Sequence, residues 1–175
     1  WFSISATERK VNGGKCCAAE YAPLMRCIKL DPSNAHAHLN LGHVQMYVRK
    51  DPAQAEESYR QAIRLDPNNS DAHGNLGFLL LQHRRKNYPE AEKHLRLAIR
   101  LDPKDAVPHA NLGILLAERE DDAGAEKHYR QAIKLDSTIP EVGDRLEALL
   151  LKKREALQQA SEQAQRAADS LLAEE

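Results

Sequence analysis

Asn75-Leu76-Gly77-Phe78, and then Ala98-Ile99-Arg100-Leu101-Asp102-Pro103, is the pair of phrases that decides how this chain folds. Both recur on either side of this copy. Asn-Leu-Gly stands at Asn40–Gly42, Asn75–Gly77 and Asn111–Gly113, and about twenty residues after each comes Ala-Ile-(Arg/Lys)-Leu-Asp, at Ala62–Asp66, Ala98–Asp102 and Ala132–Asp136. The residues that follow Leu-Asp, namely Pro32, Pro67, Pro103 and Ser137, are spaced by 35, 36 and 34 residues. A period of that size signals stacked supersecondary units, each unable to bury its apolar face alone. Such an array offers a recurring surface, and residues that recur on it are the first candidates for binding.

Each repeated residue has a local physical reading. Gly inside a helix costs about 1 kcal/mol relative to Ala, so Gly42, Gly77 and Gly113 need a packing return. Close approach to the Ala residues of a partner helix is the expected one. Leu41, Ile63, Leu65 and their equivalents fall at helical spacing and fill a seam. Lys29, Arg64, Arg100 and Lys134 lie in the last turn of each second helix, where a cation suits the macrodipole. The Pro that follows cannot continue the helix and sets the turn. Asp51-Pro52 reads as an N-cap followed by Pro at the first helical position, and Pro89 starts the next second helix in the same way.

The pattern resembles the tetratricopeptide repeat (TPR) family, a helix–turn–helix unit of about 34 residues. The matching positions are His38, Leu41, Gly42, Ala55, Tyr59, Ala62 and Pro67 in the first full unit. They are His73, Leu76, Gly77, Ala91, Leu95, Ala98 and Pro103 in the second, and His109, Leu112, Gly113, Ala125, Tyr129, Ala132 and Ser137 in the third. The repeats look most like those of O-linked N-acetylglucosamine transferases. The resemblance implies an all-α TPR solenoid, a right-handed superhelix of antiparallel helix pairs. It covers 35–137 as three full units, about 35–69, 70–105 and 106–139. Residues 1–34 read as a degenerate leading repeat, and 140–175 as a C-terminal capping or extension helix.

The ends depart from the pattern. Cys27, Ile28, Leu30, Asp31 and Pro32 fit a second helix, but Glu20 stands where Ala is expected and Pro23 is expected to interrupt the helix. Asn12-Gly13-Gly14 is a turn signal, and 1–11 reads as a poorly specified helix or tail. An edge unit is expected to be atypical. The two extra residues of the long period fall around His83–Asn87, as a solvated insertion at a loop tip. After Pro140 no breaker occurs up to Glu175. Val142, Leu146, Leu149 and Leu150 can cap the last repeat, and Ala160, Ala164, Ala167 and Leu171 form a weak heptad seam that either frays into solvent or docks a partner.

The chain has 175 residues, 42% of them hydrophobic, and a net charge of -1, which gives no general attraction to nucleic acid or anionic lipid. Aromatics are 5% of the chain, which suits helices better than sheets. No apolar run is long enough to span a bilayer, so direct membrane insertion is not expected. No signal-peptide pattern opens the chain. It begins with Trp1, which reads as a processed or trimmed product and is compatible with a removed targeting segment. Cys16, Cys17 and Cys27 match no zinc spacing and are expected as reduced thiols of an intracellular reducing compartment, a disulfide through Cys27 being the alternative.

Eight histidines invite a metal or catalytic reading. His38, His73 and His109 share one repeat position on a packed face, which argues for structure. His94 and His128 also recur and are expected on outer surfaces. His36 and His43 lie on the face expected to line the groove, but a His pair without a carboxylate or Cys is a weak metal signal. No nucleophile–base arrangement or phosphate loop is present, so no catalytic residue, metal or cofactor is assigned.

The binding candidates are Asn40, Asn75 and Asn111, which share a position on the first helix of each unit. By resemblance they would line the concave face as a ladder, each amide offering a donor and an acceptor to a peptide backbone. Met46, Tyr47, Phe78, Leu81 and Ile114 are expected as side-chain pockets on that face, with His36, His43 and Asp71 as polar selectors. The carboxylate clamp of chaperone-binding family members is not expected, because Leu39, Asp71, Gly74, Val107 and Ala110 stand at its positions. Arg145 has Glu141 nearby. The expected function is a non-enzymatic scaffold that binds an extended peptide or a partner helix as an adaptor or assembly subunit. The alternatives are the targeting arm of a larger glycosyltransferase-like enzyme and a structural subunit docking through its ends.

Overall fold

The computed structural model describes residues 21–83, 87–139 and 141–173. The turn signal at 12–14, Glu20, Cys16, Cys17, Pro140 and most of the 83–87 tip lie outside the described residues. The chain divides into two compact units, Trp1–Pro103 and Lys104–Glu175. The first holds α1 (Tyr21–Leu30), α2 (Ala35–His43, continued by a π-helical turn at Val44–Val48), α3 (Pro52–Leu65), α4 (Ser70–His83) and α5 (Tyr88–Leu101). The second holds α6 (Ala106–Glu118), α7 (Asp122–Leu135) and α8 (Val142–Ala173). Every regular element among the described residues is helical, as the periodicity predicts.

Helices pair as hairpins, α2 with α3, α4 with α5, and α6 with α7. In the first hairpin the Gly42 backbone meets the Tyr59 ring, while the Gln45 amide further along α2 meets Ser58 and Gln54 on α3. The register therefore runs antiparallel. α1 packs on α2, α3 on α4, and α7 on α8. The seams bury Leu24, Tyr59, Leu76, Leu95, Leu112 and Tyr129, each at most 1% exposed, together with the small Ala55, Ala62, Ala91, Ala98, Ala125 and Ala132.

The recurrent glycines chiefly face large side chains; of the alanines expected opposite them, Ala91 alone is among the nearest neighbours, its carbonyl 3.2 Å from a Cβ on Gly77. A Cβ on Gly42 would lie 2.5 Å from Tyr59 Cε1, one on Gly113 2.6 Å from Tyr129 Cδ1, and one on Gly77 2.7 Å from Leu95 Cγ. The close approach is of helix backbone to a buried ring or branched side chain, and the alanines flank that knob one turn to either side.

Capping explains where each helix stops. The Asp after Leu closes the second helix: the N–H groups of Asp66, Asp102 and Asp136 donate to Ala62, Ala98 and Ala132 carbonyls, each at 2.8 Å. Asp31, Asp66 and Asp136 carboxylates then accept from the N–H two residues on, at Ser33, Asn68 and Thr138. These Asx turns make the reversal, which is why Ser137 can replace Pro. Asn34, Asn69 and Asp105 cap the helices that follow, accepting from Ala37, Ala72 and Val107 N–H at 3.0, 2.9 and 2.9 Å. Asp51 and Asp121 cap α3 and α7 by accepting from Gln54 and Gly124 N–H.

The inner ends of α2 and α6 differ by one residue. Both chains leave through a left-handed residue just before the capping Asp, Lys50 at φ 57° and Glu120 at φ 63°. In α6 the Asp121 N–H donates to Leu116 O, five residues back; in α2 the Asp51 N–H donates to Gln45 O, six back, and Arg49 N–H to Val44 O. The residue that lengthens this repeat is absorbed as a π turn.

Two local expectations are corrected. Pro23 does not interrupt the described helix: α1 runs through it from Tyr21 to Leu30. Cys27 is not a free thiol. It is disulfide-bonded, with the other two cysteines of the sequence lying outside the described residues.

Candidate functional site

α2 and α4 are the first helices of consecutive hairpins, and one side-chain hydrogen bond spans them directly. The Asn75 Nδ2 donates to His43 Nε2 at 2.8 Å. His43 is a half-buried ring set between two phenols, 6.0 Å from the Tyr47 ring and edge-on to Tyr59 at 5.8 Å. Burial holds its pKa below the ordinary histidine value, so the ring is neutral at pH 7 and its Nε2 lone pair is available to Asn75. The bond uses one amide hydrogen of Asn75. Its carbonyl and second N–H are still available for a guest, the same donor–acceptor pair that a peptide unit presents.

Several of the residues singled out from the sequence lie on the same two helices and the π turn that continues α2. Asn40 is half-exposed on α2, one turn before His43. Tyr47 is 44% exposed, its phenol reaching outward from the π turn. Phe78 is half-buried on α4, one turn after Asn75. His36 and Asp71 are both exposed, in the first turns of α2 and α4. Within the first unit, His36 and Asp71 thus stand at the starts of α2 and α4, and Tyr47 and Phe78 stand further along. In the second unit, Asn111 is only 7% exposed, and Ile114 is half-buried one turn on. Two of the expected pocket residues are core: Met46 and Leu81 are 9% and 3% exposed.

The positions of a carboxylate clamp offer no cation. Leu39 and Ala110 are buried, and the Arg145 guanidinium is engaged at 3.4 Å by Glu141, the residue just before its helix. Among the described residues no group of three or more His, Cys, Asp or Glu is arranged to hold a metal, and no helix is long and apolar enough to cross a membrane.

The other histidines correct the surface assignment of His94 and His128. Each is half-buried and pairs with the first-helix histidine of its own hairpin: His73 Nδ1 lies 2.8 Å from His94 Nδ1, and His109 Nδ1 3.1 Å from His128 Nδ1. His38 and His73 also donate through Nε2 to the carbonyls of Pro32 and Pro67, at 3.2 and 3.1 Å, tying helix to loop. Nothing in single-residue periodicity signals these pairs. The shared offset of His94 and His128 from the Asp that ends their helices was the available clue.

Residues 39–106 match a family model described as the tetratricopeptide repeat. A solved structure reported as a functional characterization of Pseudomonas aeruginosa pilF is 30% identical, with a TM-score of 0.69, covering 78% of this chain and 61% of its own. PilW, reported as a widely conserved type IV pilus biogenesis factor, is 24% identical with a TM-score of 0.66, covering 74% of this chain and 59% of its own. The first TPR of Spaghetti (RPAP3), solved with an HSP90 peptide SRMEEVD, is 18% identical with a TM-score of 0.64, covering 71% of this chain and 96% of its own. The chain thus spans less than two thirds of the length of the pilF and PilW structures. No curated protein matches the sequence. The repeat match and the shared architecture establish an all-α helix-hairpin array of the TPR type.

Proposed function

We propose that this chain is a protein-interaction scaffold that holds an extended, uncharged peptide segment on the strip formed by α2 and α4. The observation that carries the reading is the Asn75–His43 hydrogen bond beside the exposed Tyr47. It fixes an amide in one orientation, leaving its carbonyl and second N–H for a guest, with the Tyr47 ring beside the His43 partner. A relative of the same fold solved with a bound peptide supports the reading, as does the general use of these repeats for protein binding.

Magnitudes decide what the strip must supply. Each net hydrogen bond contributes about 1 kcal/mol, so two amides give about 2–4 kcal/mol at best. That alone corresponds to millimolar binding or weaker. Burial of Tyr47 and the exposed part of Phe78 against apolar guest side chains has to provide the rest. With no cation at the clamp positions, the guest is read along its backbone and not by a terminal carboxylate.

The test is selection of peptides from a random display library on the purified chain, followed by calorimetric titration. Asn40→Ala with Asn75→Ala is expected to weaken the selected peptide at least about tenfold, two lost hydrogen bonds of roughly 1 kcal/mol each. An unchanged affinity in a variant of unchanged helicity would remove the strip as the binding device.

A further inference from the structure

The histidine pairs of α4–α5 and α6–α7 make the same Nδ1–Nδ1 contact, and in the α4–α5 pair the proton arrangement follows by elimination. His73 Nε2 lies 3.1 Å from the Pro67 carbonyl, which can only accept, so Nε2 carries the hydrogen. In the neutral ring His73 Nδ1 then bears the lone pair, and His94, whose Nδ1 lies 2.8 Å away, must be the donor. The two rings stack at 5.1 Å and 26°. His109 and His128 repeat the contact at 3.1 Å, with rings 5.3 Å apart and inclined 31°. One bridging proton therefore joins the first and second helix of each hairpin. In the α2–α3 hairpin Ser58 takes the place of His94 and His128, eight residues before the closing Asp, and donates to Gln45 at 2.6 Å. That bond does not titrate in the range where histidines do.

We propose that the two histidine pairs are acid-sensitive latches, which hold α4 to α5 and α6 to α7 while neutral and release them when a second ring nitrogen of the contact takes up a proton. Two N–H groups facing each other at this distance cannot hydrogen-bond. Nearby carboxylates favour the protonated rings, but burial outweighs them at His73, His94 and His109. His94 faces Glu90 and Lys93 on α5, Arg60 on α3 and His73 on α4, and Glu90 is already committed to Arg60 at 2.6 Å. His73 faces Asp66 after α3, and His109 faces Asp105 before α6.

Burial lowers the pKa of His73, His94 and His109, and it brings His94, with the repulsion of His73, down to about 4. An unfolded ring binds its proton near 6.5. Between those values the unfolded state holds more protons than the folded one, so stability rises with pH. The latch is therefore complete above about 6.5, weakens as pH falls, and is lost below about 4. The α2–α3 hairpin has no such pair; its own buried histidine, His43, has a lowered pKa as well and contributes alike to the parent and to a variant of the pairs. The inference does not rest on the peptide-binding reading.

The test has two arms on the intact chain. An NMR titration of the histidine rings is expected to show the paired rings taking up protons below pH 6, with at least one near 4–5. Thermal unfolding of the parent and of His94→Ser with His128→Ser, at pH 7.5 and pH 4.5, reads the latch directly. Carboxylate losses are common to both proteins, so the parent should lose roughly tenfold more in its folding equilibrium between the two pH values. Paired rings that titrate at 6.5 or above, or a double variant as acid-sensitive as the parent, would overturn the proposal. Should the double variant fail to fold, the ring titration of the parent decides alone.

Discussion

Gly42 and Gly113 lie where no β-carbon fits. The Tyr59 and Tyr129 rings they face are each 1% exposed and have no room to turn. Gly42→Ala or Gly113→Ala would gain about 1 kcal/mol of helix propensity but forces a shift of the ring that costs more, for a net loss of about 1–2 kcal/mol in urea unfolding. Lys50 and Glu120 present the opposite case. Both hold left-handed backbone at a helix end with side chains that disfavour it. Lys50→Gly and Glu120→Gly are each expected to stabilise the chain by about 0.5–1 kcal/mol in the same measurement. The sequence made the need for Gly visible through its recurrence. The identity of what it faces was not visible, because helical spacing resolves a face of the helix but not which of two neighbouring knobs enters it. The left-handed residues carry no sequence signature at all, since Gly is absent from both.

Among the elements, α8 behaves differently along its length. Val142 and Leu149 are 2% and 9% exposed against α7, while Lys152 and Lys153 pair with Asp122 and Glu126 on α7 at 2.9 and 3.2 Å. These pairs are largely exposed and contribute little individually. From Leu151 to Arg166 every residue is exposed. A chain ended after Leu157 keeps the buried contacts of α8 among the described residues and is expected to melt within about 2 °C of the parent, because little apolar surface is lost. One ended after Glu141 uncovers α7 and should melt markedly lower, which calorimetry on both truncations can check. The capping role of Val142 and Leu149 was legible from their spacing. The extent of α1 was not, because Pro23 reads as a breaker although α1 runs through it.

At the scale of the whole molecule, the array has no long-range electrostatic pull on a partner: net charge is -1, and the strip on α2 and α4 has a neutral His43 beside Asn75. Affinity for a selected peptide is therefore expected to change less than about threefold between 50 and 500 mM salt, since uncharged contacts shorter than the Debye length are not screened. A steep fall with salt would point to a different, charged surface. The hairpin architecture followed from the repeated phrases alone. The helical placement of Asn40 and Asn75 and their partial exposure agree with the repeat register, which by itself does not say whether they bind. The burial of Asn111, Met46 and Leu81 could not be read in advance, since repeat equivalence says nothing about what covers each copy.

The π turn at Val44–Val48 shows that this chain takes up an added residue without disturbing the Asp51 cap that follows it. For protein engineering this marks a tolerant splice point. A short reporter or affinity tag grafted between Val48 and Lys50 would extend from a place the polypeptide already uses as slack, leaving the phase of the later hairpins intact.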